Sequence, residues 1–280
     1  MLLSWSTAAI AALCLVGVSR AARRARQAWA GAVAALAWET AVVLGLYALW
    51  QKIGGLAVTS ATGAVGHARW VWRVERDTHL LSERTVQQLV LPHPAVVEAL
   101  NVFYAVVHVP ALIIFLIWLY FRHGRAYPHW RNVGAILTGA CLLIQMIPVA
   151  PPRLLPELGF VDTAVRYGQS VYGPNGIRIA PQLAAMPSVH VAWAVYIAVV
   201  VIAVSPSRWR WWVLLHPALT VFAVVATANH WWLDGIVGAA LLPLSMAAEA
   251  AVVLAVARLR RPAAVPSFEP VLVPLEHERV

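Results

Sequence analysis

Two histidines, an aspartate, a serine and an arginine are the residues of this chain best suited to chemistry. They fall in three short segments: Pro148-Val-Ala-Pro-Pro-Arg153, Met186-Pro-Ser-Val-His190 and Asn229-His-Trp-Trp-Leu-Asp234. His230 and Asp234 are four apart, so on a helix they share one face about one turn apart. A carboxylate there takes a hydrogen bond from one imidazole nitrogen, fixes the tautomer and aims the other nitrogen outward. That is the arrangement a nucleophilic histidine needs. Pro187 and Ser188 suit the start of a helix, where free backbone N–H groups form an anion site. His190, just inside, is placed to protonate a leaving oxygen. Arg153 carries the planar fork that matches two phosphate oxygens. Taken singly, each element has a plainer reading. His-x-x-x-Asp can be a structural hydrogen bond or half a metal site, Pro-Ser a cap, and the arginine an interfacial anchor. Their conjunction points to phosphoryl transfer.

The elements that must position these residues are membrane helices. Of 280 residues, 61% are hydrophobic and 12% charged, against roughly 45–50% and 25% in soluble domains. A crossing helix needs about 20 apolar residues, and seven stretches qualify, at about 2–19, 30–50, 97–121, 131–150, 188–205, 210–228 and 231–257. Arginine clusters follow the first (Arg20, Arg23, Arg24, Arg26), third (Arg122, Arg125, Arg131), fifth (Arg208, Arg210) and seventh (Arg258, Arg260, Arg261). The positive-inside rule makes that side cytoplasmic, with the N-terminus outside, the C-terminus inside and all three chemical segments at outer helix ends. The expected fold is all-α, a polytopic membrane helical bundle.

The net charge of +9 reads as loop charge that fixes topology and attracts anionic lipid heads. Nucleic-acid binding is disfavoured, because the basic residues are scattered among short loops. Cys14 and Cys141 lie inside apolar runs, so neither a disulfide framework nor a cysteine metal site is implied. Leu2–Val18 is followed by arginines without a small-residue cleavage site, which favours a retained first helix over a leader. The outer loop 51–96 holds a mixed segment, His67 to Gln88, that reads as one amphipathic helix lying on the membrane surface. Asn101, Tyr104 and His108 share a helical face, with His108 about 16 Å along its helix, near mid-bilayer. Ionisable groups at that depth face a cavity or a partner. The stripe is expected to line a cleft for a lipid head group; the alternative is a bond from His108 within the bundle, to Glu39. Glu39 and Glu249 have no assigned role.

The three segments resemble the signature motifs of the type-2 phosphatidic acid phosphatase (PAP2) superfamily, whose usual forms are Lys-x6-Arg-Pro, Pro-Ser-Gly-His and Ser-Arg-x5-His-x3-Asp. The resemblance covers about residues 97–257. Arg153 is kept, but Met146 stands where the lysine belongs. Val189 replaces glycine, and Ala223 and Val224 replace the Ser-Arg pair. Motifs thinned in this way are similar to the branch of inositol phosphorylceramide synthases and related inositolphosphotransferases. The resemblance implies a six-helix core plus one extra N-terminal transmembrane helix. With the spans and the proline-rich, polar tail, this divides the chain into an N-terminal helix with its basic loop (1–29), a catalytic membrane domain (30–258) and a tail expected to be disordered and cytoplasmic (259–280). The resemblance implies that His230 attacks phosphorus to form a phosphohistidine, Asp234 orients it, and His190 protonates the departing oxygen. Arg153, Ser188 and the backbone at Val189 would hold the phosphate oxygens. No metal or organic cofactor is implied. Arg166 or Arg178 would compensate for the missing basic groups, since phosphoryl transfer depends on charge stabilisation.

The expected partner is therefore a membrane lipid substrate, a lipid phosphate or phosphodiester at the outer leaflet. Water as acceptor would make the protein a lipid phosphatase; a lipid or sugar hydroxyl would make it a phosphotransferase, the outcome towards which the missing basic groups lean. A transporter of an anionic lipid or solute, using Glu39, His108 and Glu249 as a relay, is the alternative from another class, although no inverted repeat is present. A non-catalytic scaffold is the third.

Overall fold

The computed structural model describes residues 4–57, 63–169 and 182–259. The expected C-terminal tail and Arg178 lie outside the described residues. The fold is an all-α polytopic bundle. α1 (Trp5–Arg24) and α2 (Ala30–Ala57) form an N-terminal hairpin. Ala8, Ala12, Ala22, Ala30, Ala34, Ala37 and Ala41 are buried, and Ser19 donates its hydroxyl to the Ala34 carbonyl at 2.8 Å. Small residues let helix backbones approach closely in lipid, where the hydrophobic effect no longer drives association.

α3 (Ala64–Asp77) and α4 (Glu83–Val90) follow, then α5 (Pro94–Val106) and α6 (His108–Arg122). α7 (Tyr127–Gln145) leads into two single-turn 3₁₀ segments and the short α8 (Thr163–Arg166). α9 (Val189–Val204), a 3₁₀ turn over Arg208–Leu214, α10 (Leu215–Ala226) and α11 (Trp232–Leu259) complete the chain.

By length and composition, four helices among the described residues can cross a bilayer: α1, α2 over Ala30–Lys52, the run Arg208–Ala226, and α11. α5 and α6 make a fifth span if taken together, but they are bent by 50°. Pro110 explains the break: it lacks an N–H, and its ring crowds the carbonyl of Val106 one turn back. α9 is apolar but spans only about 24 Å at 1.5 Å per residue.

α9 nevertheless forms the centre of the bundle. Ala192, Trp193, Tyr196, Ile197 and Val200 pack among Leu137 and Cys141 of α7, Phe115 and Leu119 of α6, and Leu242 of α11. The Tyr196 hydroxyl donates to the Trp130 carbonyl at 2.7 Å, satisfying the one polar atom that this ring brings inside. Outward-facing Leu13, Ile114, Phe121 and Leu244 are exposed, as lipid-facing residues are. The two glutamates left without a role at the sequence level are paired: Glu39 with Arg131, and Glu249 with His129 at 2.9 Å.

The segment expected to be one surface helix over 67–88 is instead two helices broken at 78–82, where His79 has a left-handed φ of 59°. Its buried stripe, Ala64, Ala68, Val71 and Glu75, faces protein; Ala64, Ala68 and Val71 pack with Val149, Leu155, Phe160 and Trp231. The packing of the loops that carry the chemistry thus overrides the surface amphipathicity.

Candidate active site

The three chemical segments are tied to one another through their main chains. The Val149 N–H donates to the Leu183 carbonyl at 2.7 Å and the Ala185 N–H to the Val149 carbonyl at 3.1 Å, a parallel bridge between the first and second segments. The Arg153 N–H donates to the Ala228 carbonyl at 2.9 Å, joining the first to the third, and the Ser188 N–H to the Asp234 carbonyl at 2.9 Å, joining the second to the third. Ala228 sits at φ 54°. A left-handed alanine costs about 1–2 kcal/mol, and this one directs its carbonyl at Arg153.

His230 and Asp234 meet, though not on one helical face: Asp234 is in the first turn of α11 and His230 in the bend just before it. His230 Nδ1 lies 2.8 Å from the Ala185 carbonyl and 3.3 Å from Asp234 Oδ2. Both oxygens only accept, so Nδ1 carries the proton and Nε2 keeps its lone pair. Nε2 is buried without a partner among the described residues. His190 stands 5.6 Å from His230, ring centre to ring centre, and its Nδ1 is also buried without a partner among those residues. Ser188 caps α9 by accepting from the Val191 N–H at 3.3 Å. The amides of Val189 and His190 precede Ala192, the first amide of α9 with an intrahelical acceptor (the Ser188 carbonyl), leaving them available to an anion.

Tyr104 and His108 join this ring cluster. Tyr104 lies 4.5 Å from His190, and His108 lies 4.7 Å from His190. His108 faces the Tyr104 carbonyl through Nδ1 at 3.3 Å, while Glu39 is occupied by Arg131. Asn101 is directed elsewhere, donating to Gln169 at 2.9 Å and accepting from Thr163 at 3.0 Å, which braces α8.

The Arg153 guanidinium is buried. Nε donates to Asn229 at 3.1 Å and Nη1 pairs with Asp162 at 2.7 Å. Asp162 also caps α8 through the Val165 N–H at 3.0 Å. Arg166 is exposed on α8, over the Tyr167 ring.

Sequence reasoning missed Asn229 and Asp162, which hold Arg153, and two buried glutamates. The Trp231 N–H donates to Asp234 Oδ2 at 2.8 Å, the Trp232 N–H to Glu83 at 3.1 Å, and the Leu233 N–H to Glu75 at 2.8 Å. Three successive amides at the start of α11 therefore end on three acidic side chains. One signal was legible: Glu75 continues the spacing Ala64, Ala68, Val71, which puts a carboxylate on a buried stripe.

Burial, and next the neighbouring Glu83, push the Glu75 carboxyl up from 4.5 to about 9; the Leu233 N–H opposes this and Asp234 adds to it. Below pH 4.5 the folded and unfolded chains both hold the proton. Between 4.5 and 9 only the unfolded chain releases it, so this group makes stability fall as pH rises, with the full penalty reached near 9. Thermal unfolding of the detergent-solubilised protein should show Glu75→Gln losing less stability than wild type between pH 5 and 9. Parallel curves would refute the assignment.

The family model described as the PAP2 superfamily matches residues 69–248. No curated protein and no solved structure matches the chain.

Proposed function

Since the chain belongs to the PAP2 superfamily, we propose that it is an integral-membrane phosphoryl-transfer enzyme acting on a lipid phosphate or phosphodiester at the outer membrane face through a phosphohistidine. The observation that carries this reading is the His230–His190 pair. One imidazole has its proton held on Nδ1 and a bare Nε2, and the second stands 5.6 Å away at the mouth of a helix N-terminus.

In the first step His230 Nε2 attacks phosphorus as the bond to the lipid oxygen breaks, and His190 delivers its proton to that oxygen. In the second, water or an alcohol attacks phosphorus and the N–P bond breaks. His190 takes the attacking hydroxyl's proton and is ready for another cycle. Asp234 stabilises the positive charge that His230 gains while phosphorylated. Because Arg153 is already balanced by Asp162, much of the phosphate charge falls to the Val189 and His190 amides, the Ser188 hydroxyl, and Arg166 or Arg178. The thinned motifs favour transfer to an alcohol, in the manner of the inositolphosphotransferase branch.

An apolar cavity of about 370 Å³ supports a substrate with a hydrocarbon chain. It lies between α2, α6, α7 and α9, and is lined by Tyr47, Trp50, Leu112, Thr138 and Trp193. It offers water few of the two to four polar partners that hold a buried molecule. None of the proposed catalytic residues lines it, but Trp193 is one turn below His190 on α9.

The test is a screen of phosphorylated lipids with and without hydroxyl acceptors, following free phosphate and labelled product. Gly139 lines the cavity, and a Cβ there meets nothing within 4 Å, so Gly139→Leu is the variant that narrows it. That variant should lower kcat/KM for long-chain substrates about tenfold, at roughly 1.4 kcal/mol per factor of ten, and spare short-chain ones. Equal losses on both would remove the cavity from the account, and transport surviving in His230→Ala would favour a transporter.

A further inference from the structure

The segment α3–α4 touches both halves of the site through buried polar side chains that the proposed chemistry does not use. Glu83 and Glu75 accept from the Trp232 and Leu233 amides, two and three residues after His230. Gln87, fully buried on α4, donates to the Val161 carbonyl at 2.8 Å and accepts from the Val161 N–H at 3.0 Å. Val161 precedes Asp162, the partner of Arg153. The Trp232 indole also donates to the Leu81 carbonyl at 2.6 Å, in the turn between α3 and α4.

We infer that Glu83 and Glu75, with Gln87, are positioning residues for His230 and Arg153. They form a brace from outside the helix bundle that sets the first turn of α11 and the loop bearing Asp162.

The chemistry of a helix start supports this assignment. The first N–H groups of any helix lack intrahelical acceptors, and those of α9 remain open to an anion. At the start of α11 the amides of residues 231–233 are all taken by carboxyl oxygens of Asp234, Glu83 and Glu75, so this helix end cannot bind the phosphate and is held rigid instead. Carboxylate acceptors also interact favourably with a helix N-terminus. Losing one would leave a buried amide unsatisfied and let the His230–Asp234 turn move, and a misplacement on the order of 1 Å can cost about 10²-fold in rate. Glu75, held protonated near neutral pH by burial and by Glu83, keeps the brace from placing another full charge beside the phosphate.

The experiment compares Glu83→Ala and Glu83→Gln with wild type, using steady-state kinetics and amide hydrogen exchange over residues 229–236. The inference rests on the proposed activity for its kinetic arm alone. Glu83→Ala should lower kcat at least about tenfold with KM within about twofold, because it moves the nucleophile and leaves lipid binding intact. Glu83→Gln keeps an acceptor oxygen for the Trp232 amide and should recover most of kcat. Exchange at residues 231–233 should rise in Glu83→Ala and stay near wild type in Glu83→Gln. Unchanged kcat in folded Glu83→Ala, or equal losses in the two variants, would overturn the inference. If wild type turns over none of the phosphates offered, or Glu83→Ala fails to fold, exchange still decides. With both variants folded, faster exchange at residues 231–233 in Glu83→Ala together with wild-type exchange in Glu83→Gln upholds the brace; if only Glu83→Gln folds, its wild-type exchange does. Unchanged exchange in Glu83→Ala, or fast exchange in Glu83→Gln, ends it.

Discussion

His230→Ala should abolish phosphoryl transfer, lowering kcat by about 10³-fold or more, because no second group can replace a lost covalent nucleophile. Acid-labile phosphate on the protein should vanish with it. Asp234→Asn should cost far less, about 10–10²-fold. The reason is geometric. The Nδ1 proton of His230 is shared between two acceptors, and the shorter contact, 2.8 Å, is to the Ala185 carbonyl; Asp234 is at 3.3 Å. A backbone carbonyl survives any substitution at 234, so the tautomer persists and only the charge is lost. An amide oxygen can still accept from the Trp231 N–H. Kinetics of both variants with a short-chain lipid phosphate would decide the matter. If Asp234→Asn is as inactive as His230→Ala, the carboxylate rather than the carbonyl governs the nucleophile.

The second large effect comes from a position with no functional group. A Cβ at Gly238 would lie 2.6 Å from the Ser188 carbonyl oxygen and 3.5 Å from the backbone nitrogen of Ala192. Neither α9 nor α11 can yield cheaply there: the Ser188 carbonyl accepts the first bond of α9, and the Ser188 N–H is bonded to the Asp234 carbonyl. Gly238→Ala must therefore separate the helix carrying His190 from the one that carries Asp234 and follows directly on His230. Overpacking of this kind costs about 1–3 kcal/mol, and a shift on the order of 1 Å between reacting groups costs about 10²-fold in rate. Gly235→Ala is the control on the same helix, since its Cβ meets only the Val191 side chain at 3.6–4.0 Å. It should keep near-wild-type activity and gain up to about 1 kcal/mol in helix propensity. Equal activity in the two variants would show that the α9–α11 contact does not set the site.

The sequence revealed the parts of this site that obey local rules. Asp234 lies in the first turn of α11 with His230 four residues back, in the bend just before the helix, and Ser188 caps α9. The hydropathy runs anticipated the bundle, and Arg153 stood out as an isolated arginine after a proline pair. The missed residues answer to partners far along the chain. Glu83 meets Trp232, and Glu75 meets Leu233, each across about 150 residues of sequence, and no periodicity within α3–α4 points to a distant amide. Asn229 and Asp162 were overlooked because their value lies in holding Arg153. The Ala185 carbonyl was beyond reach altogether, being a main-chain atom that any residue would supply. The bend before His108 could have been anticipated from Pro110; the pairing of α3 and α4 against the loops could not, because amphipathicity says that a face is covered without saying by what.

The stitches joining the three segments, Val149 to Leu183 and Ala185, Arg153 to Ala228, and Ser188 to Asp234, are all peptide groups. A framework sewn in that way is indifferent to most of the side chains riding on it. Most of the side chains at these positions can be exchanged without the seams coming apart.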